Sequence, residues 1–240
     1  MAAKDPPTEP TAAGTPAATP TWREQAVARS LDSARSRAEK RVQRFLDAAV
    51  ELMATDTGSE FTVQELVARS RQSLRSFYQY FAGKHELLLA LFEESVRSTA
   101  EHLQKLIAKE DDPLDRLHRF TVEYYRVCRP ASKEKPSKRS PTPAMSEFAR
   151  QLLTDHPKEA ARAYVPLVVL LEQVLDDAAA AGRIRPGLDH RRIVGVVLQA
   201  ISFHAFSSTI SGSSVRADDE AAAEELWGLL IHGIGAETAA

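Results

Sequence analysis

The sequence predicts an all-α fold in two parts: an N-terminal three-helix helix-turn-helix unit and a larger C-terminal helical body. Three observations predict it. Apolar residues recur at spacings of three and four along most of the chain, and no segment alternates convincingly as a strand. Helix-starting and helix-ending residues punctuate the chain in the right order. The segment Phe61 to Leu88, FTVQELVARSRQSLRSFYQYFAGKHELL, reads as two short helices joined by a tight turn and followed by a third helix start.

Met1 to Thr21 is rich in Pro, Thr and Ala and holds almost no large apolar residue, so it is expected to be a flexible tail. Trp22 to about Ala54 has helical composition, with Val42, Phe45, Leu46, Ala49, Val50 and Met53 on one apolar face, before Thr57-Gly58 breaks the pattern. Thr62 to Arg69 is the next helix. Thr62 and Glu65 make a capping box, and Phe61 and Leu66 occupy the two positions of a hydrophobic staple. Ser73 caps a helix from Leu74 to Phe81, and Gly83 releases the chain before Lys84 starts a longer helix. In that helix Leu87, Leu88, Leu91, Phe92, Val96, Leu103, Leu106 and Ile107 form a stripe.

Asp112-Pro113 is a cap followed by an N1 proline, and Leu114, Leu117, Phe120, Tyr124 and Cys128 follow it at helical spacing. Arg129 to Pro143 mixes lysines, arginines and prolines and reads as a mobile loop. Thr142-Pro143 starts a helix to about Thr154, and His156-Pro157 starts another to Ala181, ended by Gly182. Asp189 caps a strongly apolar helix, Ser211 to Asp219 is a loop, and a last helix carries Leu226, Trp227, Leu230 and Ile234. The expected division is a tail over 1–21, a helix-turn-helix domain with a basic leading helix over 22–85, and a body over 86–240.

Composition narrows the function. The chain is 43% hydrophobic and 27% charged, ordinary for a globular protein with a real core. The single Cys128 makes no intrachain disulfide, and the N-terminus lacks signal-peptide order, so a cytoplasmic location is expected. No apolar run reaches the roughly 20 residues needed to span a bilayer, and no membrane partner is expected. Net charge is −2, yet it is unevenly spread. From Arg23 to His85 there are 11 Lys/Arg against 8 Asp/Glu, and from Glu86 onward 19 against 23. A mildly basic N-terminal third on an acidic remainder suits a small nucleic-acid-binding module on a different body, although solvated helices also carry such imbalances. The same two readings apply to Arg35, Arg37, Lys40, Arg41 and Arg44, as a DNA-contacting arm or as a solvated face.

The helix beginning at Ser73 carries the chemistry. With Leu74, Phe77 and Phe81 on its buried side, Ser73, Arg75, Ser76 and Gln79 turn outward. Hydroxyls, an amide and a guanidinium on one exposed helix suit phosphates and base edges rather than catalysis. Tyr78 and Tyr80 flank that face, where phenol hydroxyls reach phosphates, and Lys84 adds a cation at the next helix N-terminus. In a helix-turn-helix the second helix enters the major groove with its N-terminal residues toward the bases.

The run Phe77-Tyr78-Gln79-Tyr80-Phe81-Ala82-Gly83-Lys84-His85-Glu86-Leu87-Leu88 resembles the recognition-helix signature of the TetR family of bacterial repressors. The preceding AAVELMATDTGSEFTVQELVARS is also similar to that family, and the resemblance runs from about Arg41 to Val96. It implies an all-helical homodimer whose first three helices bind DNA and whose remaining helices bind a small molecule and the partner subunit. Carried over by motif position, Tyr78, Tyr80 and Lys84 contact phosphate, while Ser73, Arg75, Ser76 and Gln79 face the groove. Thr62 sits where the second helix meets phosphate. Many relatives have Gly-Val where this chain has Arg71-Gln72. The turn therefore lacks its usual left-handed glycine, a tighter or differently shaped backbone is expected, and Arg71 and Gln72 are readable either as DNA contacts or as a merely solvated turn. Ser76-Phe77 crowds a position usually held by a small residue.

In the body, Phe120, Tyr124, Cys128, Met145, Phe148, Leu152, Val165, Val169, Phe203 and His204 are candidates for a mostly apolar ligand pocket, each also readable as ordinary core. The last two helices, Asp189 to Ser211 and Glu220 to Ile234, are apolar on more than one face, as expected of a homodimer interface. No catalytic motif is present and no cofactor is expected. The histidines show no metal-ligand spacing, so no metal is expected either. The reading is a ligand-responsive regulator, a repressor that binds a palindromic DNA operator as a dimer and is released by a small apolar effector. The alternatives are a helical small-molecule-binding or scaffold protein whose helix-turn-helix makes protein contacts, and a DNA-binding regulator without a ligand.

Overall fold

A computed structural model describes residues 21–54, 60–129, 143–210 and 219–235. Residues 1–20 of the expected 1–21 tail, the Thr57-Gly58 break, and residues 130–142 and 211–218 of the two expected loops lie outside the described residues. Among the described residues there are nine helices: α1 (Trp22–Met53), α2 (Val63–Ser70), α3 (Leu74–Tyr80), α4 (Lys84–Ile107), α5 (Pro113–Cys128), α6 (Pro143–Asp155), α7 (Pro157–Ala180), α8 (His190–Ile210) and α9 (Asp219–Ile234). No strand occurs among them. A single antiparallel bridge, Ile184 to Gly235, ties the α7–α8 connection to the end of α9, and Arg185 N–H donates to Ile234 O at 2.9 Å.

The chain divides into two units, Met1–Val42 and Gln43–Ala240. In the first, α1 is exposed from Gln25 through Lys40 apart from a half-buried Ala38, and it carries an Arg35–Glu39 ion pair one helical turn apart. In the second, the rest of α1 buries Phe45, Leu46, Ala48, Ala49, Leu52 and Met53. Val50, expected on that face, is exposed. It lies one residue beyond Ala49, about 100° around the helix from it, and so falls at the edge of the apolar sector.

The helix starts follow local chemistry. Thr62 N–H donates to the Glu65 carboxylate at 2.6 Å, and Glu65 N–H donates to Thr62 Oγ1 at 3.2 Å, so the capping box is complete. Phe61 and Leu66 are both buried beneath it, as a staple requires. Ser73 Oγ accepts from Ser76 N–H at 3.1 Å and caps α3. Asp112 caps α5 through Leu114 N–H, with Pro113 in the first turn. Gly182, at φ 68°, closes α7 in the left-handed region that glycine adopts without penalty.

The helix-turn-helix core is aromatic. The Phe45 ring of α1 meets Phe77 and Phe81 edge-on, with centroids 5.6 and 6.2 Å apart. Leu74 is largely exposed, contrary to its expected place on the buried side. At the first residue of a seven-residue helix it lies before the aromatic contacts begin. In the body, α5 is central and packs against α4, α7, α8 and α9, while α7 packs against α4, α5, α6 and α8. Leu117, Phe120, Tyr125, Leu103, Leu167, Leu171 and Leu175 are fully buried there.

Candidate functional site

The turn between α2 and α3 keeps left-handed geometry without a glycine. Arg71 itself sits at φ 54°, ψ 37°. Its N–H donates to Ala68 O at 3.3 Å, and Gln72 N–H donates to Val67 O at 3.2 Å, the bond pair of a Schellman ending. The expectation of a tighter or differently shaped turn is thus corrected. The hydrogen bonds that end α2 dictate the αL residue, and arginine adopts it at a backbone cost of about 1–2 kcal/mol.

Arg71, Ser73, Arg75, Tyr78 and Gln79 are exposed, and together they cover the solvent side of the turn and α3. The Tyr78 ring stands edge-on to Phe77 with its centroid 5.3 Å away. Gln72 and Tyr80 are half-buried, and Gln72 Nε2 donates to Arg71 O at 3.1 Å. Ser76 does not turn outward as expected. Its Oγ is buried and meets no hydrogen-bond partner among the described residues. Ser76 immediately precedes the buried Phe77, and Ser73 already takes its N–H, so its side chain falls against the packed face.

Two of the expected phosphate ligands are already engaged inside the fold. Thr62 Oγ1 donates to Glu65 at 2.9 Å while accepting the Glu65 N–H. The hydrogen bonds from Thr62 hold the Glu65 carboxyl below the usual glutamate range, so a negative charge already caps α2. Lys84 Nζ donates to Phe61 O at 2.6 Å and lies 4.5 Å from the centre of the Phe61 ring. Burial lowers its pKa. Glu86, in the same turn of α4, accepts from Ala82 N–H at 2.5 Å. The start of α4 is therefore clamped both to the residue before the α2 cap and to the chain just past α3.

In the body, α4, α5, α6, α7 and α8 surround a cavity of about 1110 Å³. Tyr124, Cys128, Met145, Val165 and Phe203 line it, as expected. Phe120, Phe148 and Leu152 do not; they are buried in the core. Val169 and His204 do not line it either, and both are exposed, with the His204 ring 5.7 Å from that of Tyr125. An apolar stripe marks residues that leave water without telling core from cavity wall, which explains these errors.

The cavity's polar point is a cluster on α5 and α8. Tyr124 OH lies 2.9 Å from Ser202 Oγ, and Cys128 Sγ lies 3.7 Å from the same oxygen. Ser202 Oγ also donates to Leu198 O at 2.7 Å. Burial pushes the Cys128 thiol up to about 11 and raises the Tyr124 and Tyr164 phenols, so all three stay neutral near pH 7. Arg150, Arg162 and Arg191 stand exposed at the rim, the first two paired with Glu147 and Glu93. Ser202, Tyr164 and these arginines were missed because nothing local in the sequence points them at a common space.

The folded chain thus defines a class: a helix-turn-helix head joined through one long helix to a hollow helical body. Residues 45–91 match the model of the bacterial regulatory proteins, tetR family, and the chain carries that family's N-terminal domain there. Solved structures of transcriptional regulators share the fold along most of the chain. A TetR-family regulator from Pectobacterium atrosepticum superposes with a TM-score of 0.65 at 17% identity, covering 85% of this chain and 99% of that one. FadR from Bacillus subtilis, a transcriptional regulator in complex with stearoyl-CoA, gives 0.61 at 17% identity, covering 80% and 98%. SmeT, the repressor of a Stenotrophomonas maltophilia multidrug efflux pump, gives 0.59 at 14%, covering 82% and 91%. At such identities the likeness is one of fold. No curated protein matches the sequence. No helix among the described residues is long and apolar enough to cross a membrane.

Proposed function

We propose that this protein is a dimeric transcriptional repressor that reads a palindromic operator through α3 and releases it when a largely apolar effector enters the body. The observation that carries the reading is the exposed polar face formed by Arg71, Ser73, Arg75, Tyr78 and Gln79 on an aromatic-braced helix-turn-helix. Arg75 and Gln79 are one turn apart on α3 and suit base edges. Ser73, Tyr78 and Arg71 suit phosphates.

The dimer reading rests on α8 and α9. Val196, Phe203 and Leu229 are large apolar side chains left open to solvent on these two helices. A second copy covering them around a two-fold axis supplies the paired heads that a palindrome needs.

The effector reading rests on the cavity. Its volume lies at the upper end of the roughly 300–1,000 Å³ of drug-sized sites, room for a small effector with a long or bulky apolar part. Its apolar walls suit a hydrocarbon body, and the Tyr124–Ser202 pair suits one polar group. The stearoyl-CoA of the Bacillus subtilis regulator is an example of a ligand with a long apolar part. Phe92, Ser95 and Val96 of α4 line the cavity, and the first turn of the same helix is clamped to the head by Lys84 and Glu86. A ligand that displaces α4 moves the heads, provided it binds the low-affinity arrangement more tightly.

Titration of duplex binding against salt tests the reading. The wild type is expected to shift DNA upstream of its own gene, with affinity falling steeply as salt rises. Arg75→Ala/Tyr78→Ala should lose that shift while keeping its melting temperature. Salt-independent or absent binding to every duplex contradicts the proposal. Lys84→Ala is a poorer probe, because it also breaks the clamp to Phe61.

A further inference from the structure

We propose that His85, His156 and Glu159 form a transition-metal site, best suited to zinc, at the joint between the head and the effector body. Their ligand atoms all lie within 4.8 Å of one another. His85 Nε2 is 2.8 Å from Glu159 Oε2, and the His85 and His156 rings are 4.6 Å apart. Two imidazoles and one carboxylate are the donor set of open zinc sites, which hold the ion with three side chains and leave a position for water. Nitrogen donors disfavour magnesium and calcium, which select oxygen ligands.

The backbone presents these donors together. His156 is the residue before α7 and makes no side-chain cap there, so its ring is not consumed by the helix start. Glu159 lies three residues further on, within the first turn, on the same side as His156. His85 is the second residue of α4, and its ring rests 5.8 Å from that of Phe148 on α6, which limits where it can turn. Both histidines are exposed and Glu159 is half-buried, so an ion has access. Donors around a tetrahedral zinc at about 2.0–2.2 Å stand some 3.3 Å apart. The longest separation, at most 4.8 Å, must therefore close by no more than about 1.5 Å, within the reach of rotation in exposed side chains. Binding replaces the His85–Glu159 hydrogen bond with two metal bonds. Each imidazole binds as the neutral ring, with its proton on the nitrogen turned away from the ion.

The position gives the site a consequence. His85 stands between Lys84, which holds Phe61 of the head, and Glu86, which holds Ala82 at the end of α3. An ion bridging His85 to the start of α7 fixes the clamp's first turn to the body. With α3 as the DNA-reading helix, metal binding therefore changes operator affinity.

Calorimetric titration of the full chain with zinc chloride, in a buffer that does not chelate, tests the site without reference to DNA. One equivalent per chain is expected. His85→Asn and His156→Asn should each weaken binding on the order of 100-fold or more, beyond the 10–100-fold typical of residues that only support a ligand. His118→Asn, which breaks a separate His–Glu224 pair, should leave it unchanged. Cobalt(II) added to the wild-type chain should show the visible bands of a low-symmetry nitrogen and oxygen site, a readout that needs no variant to fold. No saturable binding, or binding that survives both substitutions, overturns the site. Tight binding at these residues with unchanged duplex affinity overturns the coupling, and failure to bind any duplex both with and without zinc overturns the repressor reading instead.

Discussion

Replacing Arg71 with glycine should stabilise the protein and weaken its hold on DNA. Arg71 is the only non-glycine residue with positive φ among the described residues. Holding an L-residue there costs about 1–2 kcal/mol, which glycine avoids. Glycine also loosens the unfolded chain, which takes back about 0.4–1 kcal/mol. The bonds from residue 71 N–H to Ala68 and from Gln72 N–H to Val67 are backbone bonds and survive the change. Only an exposed side chain is removed. The net gain is about 0.5–1 kcal/mol, a rise of roughly 1–4 °C in Tm for a chain of this size. Urea unfolding at fixed protein concentration reads it as a higher midpoint with the same slope. In the same variant the slope of log K against log salt should fall by about 0.9 for each phosphate that is no longer neutralised. A lower urea midpoint would refute the reasoning, since Arg71 would then supply more as a side chain than its backbone costs. Unchanged duplex binding would remove Arg71 from the interface.

Ser76→Ala removes a buried hydroxyl without a partner and improves helix propensity, so stability should rise by up to about 1 kcal/mol with operator affinity retained. Loss of sequence preference in that variant would return Ser76 to the reading face. Glu65→Gln should flatten the acid limb of the stability profile. The Glu65 carboxyl has a folded pKa below its unfolded value, so its contribution is complete above about pH 4.5 and is lost as pH falls through the lowered folded pKa. Glutamine can still accept from Thr62 N–H and does not titrate. Parallel acid profiles for the two proteins, followed by circular dichroism, would show that the box is not a source of that dependence.

What the sequence showed and what it hid divide along a physical line. Thr62, Glu65, Ser73 and Asp112 act on backbone groups two or three residues away, so the starts of α2, α3 and α5 were readable from order alone. Phe61 and Leu66 were readable for the same reason. The surroundings of a side chain were not. Leu74 looks like core by spacing yet lies outside the aromatic cluster, and Ser76 looks like a groove residue yet its hydroxyl is buried. Lys84 looks like a phosphate ligand, but a carbonyl 23 positions earlier holds it. His85 and Glu159 are 74 positions apart, so no local spacing could reveal their pairing. The cavity wall was half legible, because five of ten apolar candidates line it and the others fill the core or face solvent.

Selection of duplexes from a random pool by the full chain tests most directly whether α3 reads DNA as one of a pair. The expected product is a two-fold symmetric sequence whose half-sites are centred about one helical turn, or a multiple of it, apart. The same selection with Arg75→Ala/Tyr78→Ala should enrich nothing. Enrichment of an asymmetric single site, or the same sequence from both proteins, would contradict recognition by paired α3 helices.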